Sequence, residues 1–294
     1  MDHDISRDRP GSSSRTGGGA ARFTDMPSEL LGKVAASVVS EDPVETANRL
    51  TNLRLASRSV RTEFERSGAG QFHERLNRLG DSAHRLYTAE MPPENVVPQD
   101  DLFFARYQTR AVRPILKFQT APMKTAVVDR TLAIDEPRRQ SLALSKLGQS
   151  IGDLSQLDQT RLLDRSLELF TQEGGGPAHF VIRNNTAKAL KMGRDYLNEN
   201  QREQLNTAFA QNPELASFYA AVEVLPAGHA AAPQNPDLDA RINAIQDRAH
   251  QLPGDFASYQ QQDAMAELGD SISETYNSAR AELMRSNRSR DLTR

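Results

Sequence analysis

Apolar residues recur at steps of three and four along most of this chain. Phe72, Leu76, Leu79, Ala83 and Leu86 form one series. Leu144, Leu147, Ile151 and Leu154 form a second, and Leu163, Leu167 and Phe170 a third. That spacing returns a side chain to the same face at each helical turn, so it predicts amphipathic α-helices. Asn212-Pro213 supplies an N-cap and a first-turn proline before Leu215, Phe218, Tyr219 and Val222. Lys124 to Ile134 (KTAVVDRTLAI) also fits a short strand, but no hairpin partner lies nearby. The expected class is mainly α: a small amino-terminal helical module, a larger helical domain and flexible termini.

Breaks in the pattern divide the chain. Residues 1–21 are Ser, Gly, Arg and Asp with little to bury, which predicts disorder. The first apolar periodicity starts at Phe23 and defines a module over 22–67. A proline- and acid-rich stretch from Glu90 to Asp101 reads as a loop inside the larger domain, 70–275. Gly174-Gly175-Gly176 before Pro177 predicts a helix stop, and Pro226 to Pro236 a linker. Leu79-Gly80-Asp81-Ser82 is echoed by Leu147-Gly148-Gln149-Ser150 and Leu268-Gly269-Asp270-Ser271, and more weakly by Met192-Gly193-Arg194-Asp195. A glycine inside a helix costs roughly 1 kcal/mol relative to alanine, so its recurrence points to close helix packing.

The amino-terminal module has its own grammar. Leu30, Leu31, Val34 and Val38 make one apolar stripe behind Met26-Pro27. Asp42-Pro43-Val44-Glu45 starts a second helix with an acidic cap, proline at the first position and glutamate at the third. Leu50, Leu53, Ala56, Val60 and Phe64 follow on one face, with Arg49, Arg54, Arg58 and Arg61 interleaved. Those arginines are offset by Glu41, Asp42, Glu45, Glu63 and Glu65, which argues against nucleic-acid groove binding.

Composition narrows the chemistry. The chain has 294 residues, of which 37% are apolar and 26% charged, with a formal net charge of -3 and no cysteine. No global field draws it to nucleic acid, and neither a disulfide framework nor thiolate chemistry is available. The start has no apolar signal-peptide core, and Val34 to Val39 falls far short of the ~20 residues a membrane span needs, so no membrane insertion is expected. The six histidines never fall at metal-ligand spacing. Gly174 to Gly176 lacks the Lys-Ser/Thr of a phosphate loop, and no nucleophile elbow or kinase signature occurs. The expectation is no catalytic residue, no metal and no cofactor.

Met26-Pro27-Ser28-Glu29-Leu30-Leu31-x-x-Val34, followed by Leu53-Arg54-Leu55-Ala56-Ser57-Arg58-x-x-Arg61, resembles the F-box. More narrowly, Asp25 to Arg61 with the Glu41 to Glu45 turn resembles the VirF family of translocated effectors of plant-associated bacteria. Met26 stands where the F-box has leucine, keeping its volume and apolarity. Val60 lies near the place of a tryptophan common late in eukaryotic F-boxes. The resemblance implies that 22–67 binds a Skp-type subunit of a host SCF ubiquitin ligase, with its cullin. Met26, Pro27, Leu30, Leu31, Val34, Leu53 and Leu55 become the candidate docking residues. It also implies that 70–275 recruits a host or co-delivered protein for proteasomal degradation, in the host cytoplasm or nucleus.

The last residues point the same way. From Arg280 onward there are five arginines (Arg280, Arg285, Arg288, Arg290 and Arg294) against Glu282 and Asp291. Ser278 to Met284 resembles the segment near the end of VirF, and the arginine spacing resembles that of type IV secretion substrates. Residues 276–294 therefore read as a basic export signal for a type IV coupling receptor. The alternative function is a translocated effector whose middle domain is an enzyme, recognisable by polar residues with shifted pKa values gathered in a cleft.

Overall fold

Why helices form where they do is visible in their caps. In the computed structural model, residues 28–91, 100–224, 237–252 and 259–291 are described. Helix α1 (Ser28–Ser37) is followed by α2 (Pro43–Leu55), whose N-cap Asp42 accepts from the Val44 and Glu45 amides at 2.7 and 3.0 Å. Ser57 caps α3 (Arg58–Arg66), and Ser67 caps α4 (Gly68–Glu90). Short helices α5 (Asp101–Phe103) and α6 (Thr109–Val112) flank a π-helical turn, Phe104–Gln108, and a 3-10 turn, Arg113–Phe118, follows. Then come α7 (Ala121–Leu132), α8 (Pro137–Leu147), α9 (Gln156–Thr171) and α10 (Pro177–Met192). Beyond them lie α11 (Glu199–Gln211), α12 (Pro213–Ala221), α13 (Leu238–His250) and α14 (Tyr259–Asp291). The fold is mainly α, and among the described residues no strand occurs.

Helix α4 is the spine. Its stripe Phe72, Leu76, Leu79, Ala83 and Leu86 is buried throughout, packed by α2 and α3 near its start and by α13 and α14 along its length. One hydrophobic core runs from Leu31, Leu50 and Phe64 through α4, α6, α7 and α8 to Tyr276, Ala279 and Leu283 of α14. The segment assigned to a separate amino-terminal module therefore shares its core with the larger domain, and so does much of the carboxy-terminal segment. A smaller core of Leu163, Leu167, Phe170, Leu190 and Leu205 holds α9 to α12 together.

Three local expectations meet the structure differently. Asn212 caps α12 as its sequence predicts, accepting from the Leu215 amide at 3.1 Å. Residues 124–132 are helical, with Val127 and Val128 fully buried where α7 packs on α8 and α9, so tertiary burial overrides β-branched propensity. The glycine triplet does not stop a helix directly, because α9 already ends at Thr171. Gly176 instead precedes α10 at φ 87°, a conformation that favours glycine, and Pro177 opens the new helix.

No described helix is long and apolar enough to cross a membrane. Residues 1–21, expected to be disordered, lie outside the described residues, as does the expected linker 226–236.

Candidate partner-docking surface

Five of the seven docking positions lie on the first two helices. Met26 and Pro27 lie outside the described residues. On α1, Leu30 is 45% exposed, whereas its neighbour Leu31 is fully buried in the main core. Val34, one turn on, is half-buried. Leu53 is half-buried against the core, and Leu55, the last residue of α2, is 68% exposed. Helix α1 packs on α3, α4 and α14, while α2 packs on α3 and α4, so Leu30 and Leu55 are held on separate helices bridged by α3. The stripe thus divides its work: Leu31 anchors α1 internally, while Leu30 and Leu55 remain open.

The interleaved arginines are largely engaged within the module. Arg54 and Arg61 both bind Glu65, at 2.8 and 2.9 Å, and Arg49 binds Glu45 at 2.5 Å. Arg61 and then Arg54 hold the Glu65 carboxyl below its usual range. Behind them His73 is buried against Phe64 and meets the Thr51 hydroxyl at 3.0 Å. Burial, then the nearby Arg54 charge, pushes its pKa down, which favours neutral imidazole.

The carboxy-terminal arginines divide as well. Arg280 is partly buried and lies 3.7 Å from Glu41, in the turn between α1 and α2. Arg285 is exposed and donates to the Ala281 carbonyl within its own helix, at 3.4 Å. Helix α14 extends past Arg288 and Arg290 to Asp291, and Arg294 lies outside the described residues.

A cleft of about 810 Å³ opens beside the α1–α2 turn, where the amino ends of α2, α7 and α9 converge. Its walls carry Asp42, Lys124, Asp153 and Asp158. Two of these carboxylates hold helix starts. Asp42 caps α2, and Asp158 accepts from Thr125 and Ser155 hydroxyls, both at 2.8 Å. Lys124 is almost wholly buried, 3.8 Å from Asp42. Burial pushes the Asp153 carboxyl up, opposed by Lys117 and Lys124. Among the described residues no cluster of three His, Asp or Glu side chains is placed to hold a metal ion.

No family model, curated protein or solved structure matches the chain.

Two further groupings lay beyond sequence reasoning. Lys146 on α8 donates to the Arg106 carbonyl. Burial first, and then the charges of Arg110, Arg113 and Arg106, lower its pKa to about 8. Glu90, Gln108 and Gln262 are buried from three different elements. No local motif announces either grouping, since their members come together only when α4, α8, α14 and the π-helical turn pack.

Proposed function

We propose that this chain is an F-box adaptor that docks onto a Skp-type subunit of an SCF ubiquitin ligase. In this reading it presents a second protein for ubiquitination and proteasomal turnover. The observation that carries the reading is the exposure of Leu30 and Leu55. Both occupy motif positions, and both are large apolar side chains left open by a fold that buries most others. Leucines held open on short helices suit an apolar groove, where a few anchors supply most of the affinity. The neighbouring ion pairs of Arg54 and Arg61 with Glu65 place a polar rim on the same segment.

Delivery from a bacterium into a host cell belongs to the same proposal and rests on the resemblance together with the arginines of the last helix. Asp42 and Asp158 of the cleft are engaged at helix starts, while Asp153, pushed up by burial, is the feature of the cleft that suits the enzymatic alternative. Affinity purification of the chain from plant extract tests the reading. Skp and cullin should co-purify with wild type and be lost together when Leu30 and Leu55 are replaced by Asp. Recovery of neither with the wild-type chain contradicts it.

A further inference from the structure

Glu90 is the last residue of α4 and is only 1% exposed. Neither of its carboxyl oxygens forms a hydrogen bond of ordinary geometry, although the Gln262 side chain lies close enough to favour the ionised form somewhat. Gln108 and Gln262 are 2% and 3% exposed, and each leaves its Oε1 without a donor. Gln108 is fixed by its Nε2, which donates to the Glu90 backbone carbonyl and so caps the end of α4 from the π-helical turn. Turning that amide would set oxygen against oxygen. Gln262 is freer, since its Nε2 meets only the Met265 sulfur, at 3.8 Å. All four unsatisfied atoms are acceptors, so the group is short of donors.

A proton on Glu90 supplies that donor. A buried carboxylate without partners is costly, and it is costlier at a helix carboxy-terminus, where the backbone dipole is negative. Charged groups on the packed elements are directed elsewhere. Arg110 pairs with Asp263, Arg113 with Asp270, and Arg248 lies near Glu267. Arg106 is exposed, and His250 faces the Gln246 carbonyl. Tyr87 donates to the Met123 carbonyl at 2.9 Å.

We propose that Glu90 is a proton-operated latch between the end of α4 and the start of α14. When neutral, its carboxyl O–H donates to Gln262 Oε1 and holds α14 down. When ionised, it is a buried anion that loosens the amino end of α14 and the π-helical turn. Burial raises its pKa from 4.5 to about 7. Its folded value therefore exceeds its unfolded one. The latch contributes fully below the unfolded value, and its contribution is lost as pH rises through the folded value.

Hydrogen exchange of the intact chain, corrected for intrinsic rates and compared with Glu90→Gln, tests the latch. The wild-type opening constant at 104–109 and 261–268, relative to the variant, should rise on the order of a hundredfold between about pH 5 and pH 7, then level off. Parallel profiles for the two proteins, or a difference spread evenly over the chain, would overturn it. An infrared titration of the wild-type chain keeps the test open if the variant fails to fold. A protonated-carboxyl carbonyl band should persist at about pH 6 and vanish by about pH 8. Its absence at the lower pH would equally overturn the latch.

Discussion

The Tyr276 hydroxyl donates to the backbone carbonyl of Ser40 at 3.3 Å, across 236 residues of chain. Tyr276 is 1% exposed, its ring set edge-on to Phe118 and tilted against Phe72. Ser40 lies in the turn whose neighbour Glu41 faces Arg280. The last helix is therefore tied to the turn that joins α1 and α2, the two helices that carry Leu30 and Leu55. Tyr276→Phe should cost about 1 kcal/mol in denaturant unfolding, and Tyr276→Ala about 3–5 kcal/mol. Equal effects would mean that the ring contributes nothing beyond its hydroxyl.

The same tie sets a limit on the carboxy-terminal arginines. Replacing exposed Arg285 with Ala should leave stability within about ±0.5 kcal/mol. Arg280→Ala should be measurably worse, because it abandons Glu41 and part of a buried surface. Ending the chain after Thr275 removes Tyr276, Ala279 and Leu283 from the core and should lower the melting temperature sharply. Unchanged melting would place the stability of the fold elsewhere. If the export proposal holds, delivery of the intact chain into host cells should fall when Arg285, Arg288, Arg290 and Arg294 are all replaced, without loss of fold.

Two of the glycine echoes should respond in opposite directions. A methyl group at Gly269 would lie 2.7 Å from the Ala111 carbonyl oxygen and 2.9 Å from Pro114 Cγ, whereas at Gly80 nothing lies within 4 Å. Gly269→Ala should cost about 1–3 kcal/mol, since the backbone must move. Gly80→Ala should gain close to 1 kcal/mol from helix propensity, both measured by chemical denaturation. Similar changes for the pair would contradict the close approach of α14 to α6.

Lys146 predicts a pH dependence of its own. Burial and the three arginines bring its pKa from 10.5 down to about 8, so the folded state binds fewer protons than the unfolded one. Stability should therefore rise as pH climbs from the folded value toward the unfolded one. Lys146→Met should remove that rise and stabilise the chain at neutral pH by about 1 kcal/mol, a figure kept small because part of the side chain meets water. A destabilised variant would show that the Lys146 bond to the Arg106 carbonyl outweighs the crowded charge.

Much of this architecture is readable from short-range pattern. Asp42 and Asn212 cap the helices their sequence context announces, and the stripe from Phe72 to Leu86 is buried as its spacing requires. The glycine echo also reports close packing at Gly148, Gly193 and Gly269, though not at Gly80. What escapes is long-range. Val127-Val128 looks strand-like until α8 and α9 cover it. The segment from Tyr276 reads as a charged tail because its arginines conceal the apolar positions Tyr276, Ala279 and Leu283. Glu90 sits where proline and acids suggest a loop, yet it closes a buried helix end. Of the docking positions, periodicity alone does not separate Leu30 from Leu31, since the partner that buries Leu31 is not in the local sequence.

The central claim is that Leu30 and Leu55 are held open to engage a Skp-type subunit. Calorimetric titration of the purified full chain with a purified Skp-type subunit tests it most directly. The account predicts saturable binding. Leu30→Ala and Leu55→Ala should each weaken it by about 2 kcal/mol, roughly thirtyfold in Kd, with the melting temperature nearly unchanged. Met26→Ala combined with Pro27→Ala should abolish it. No binding by the wild-type chain, or binding indifferent to both leucines, would contradict the account.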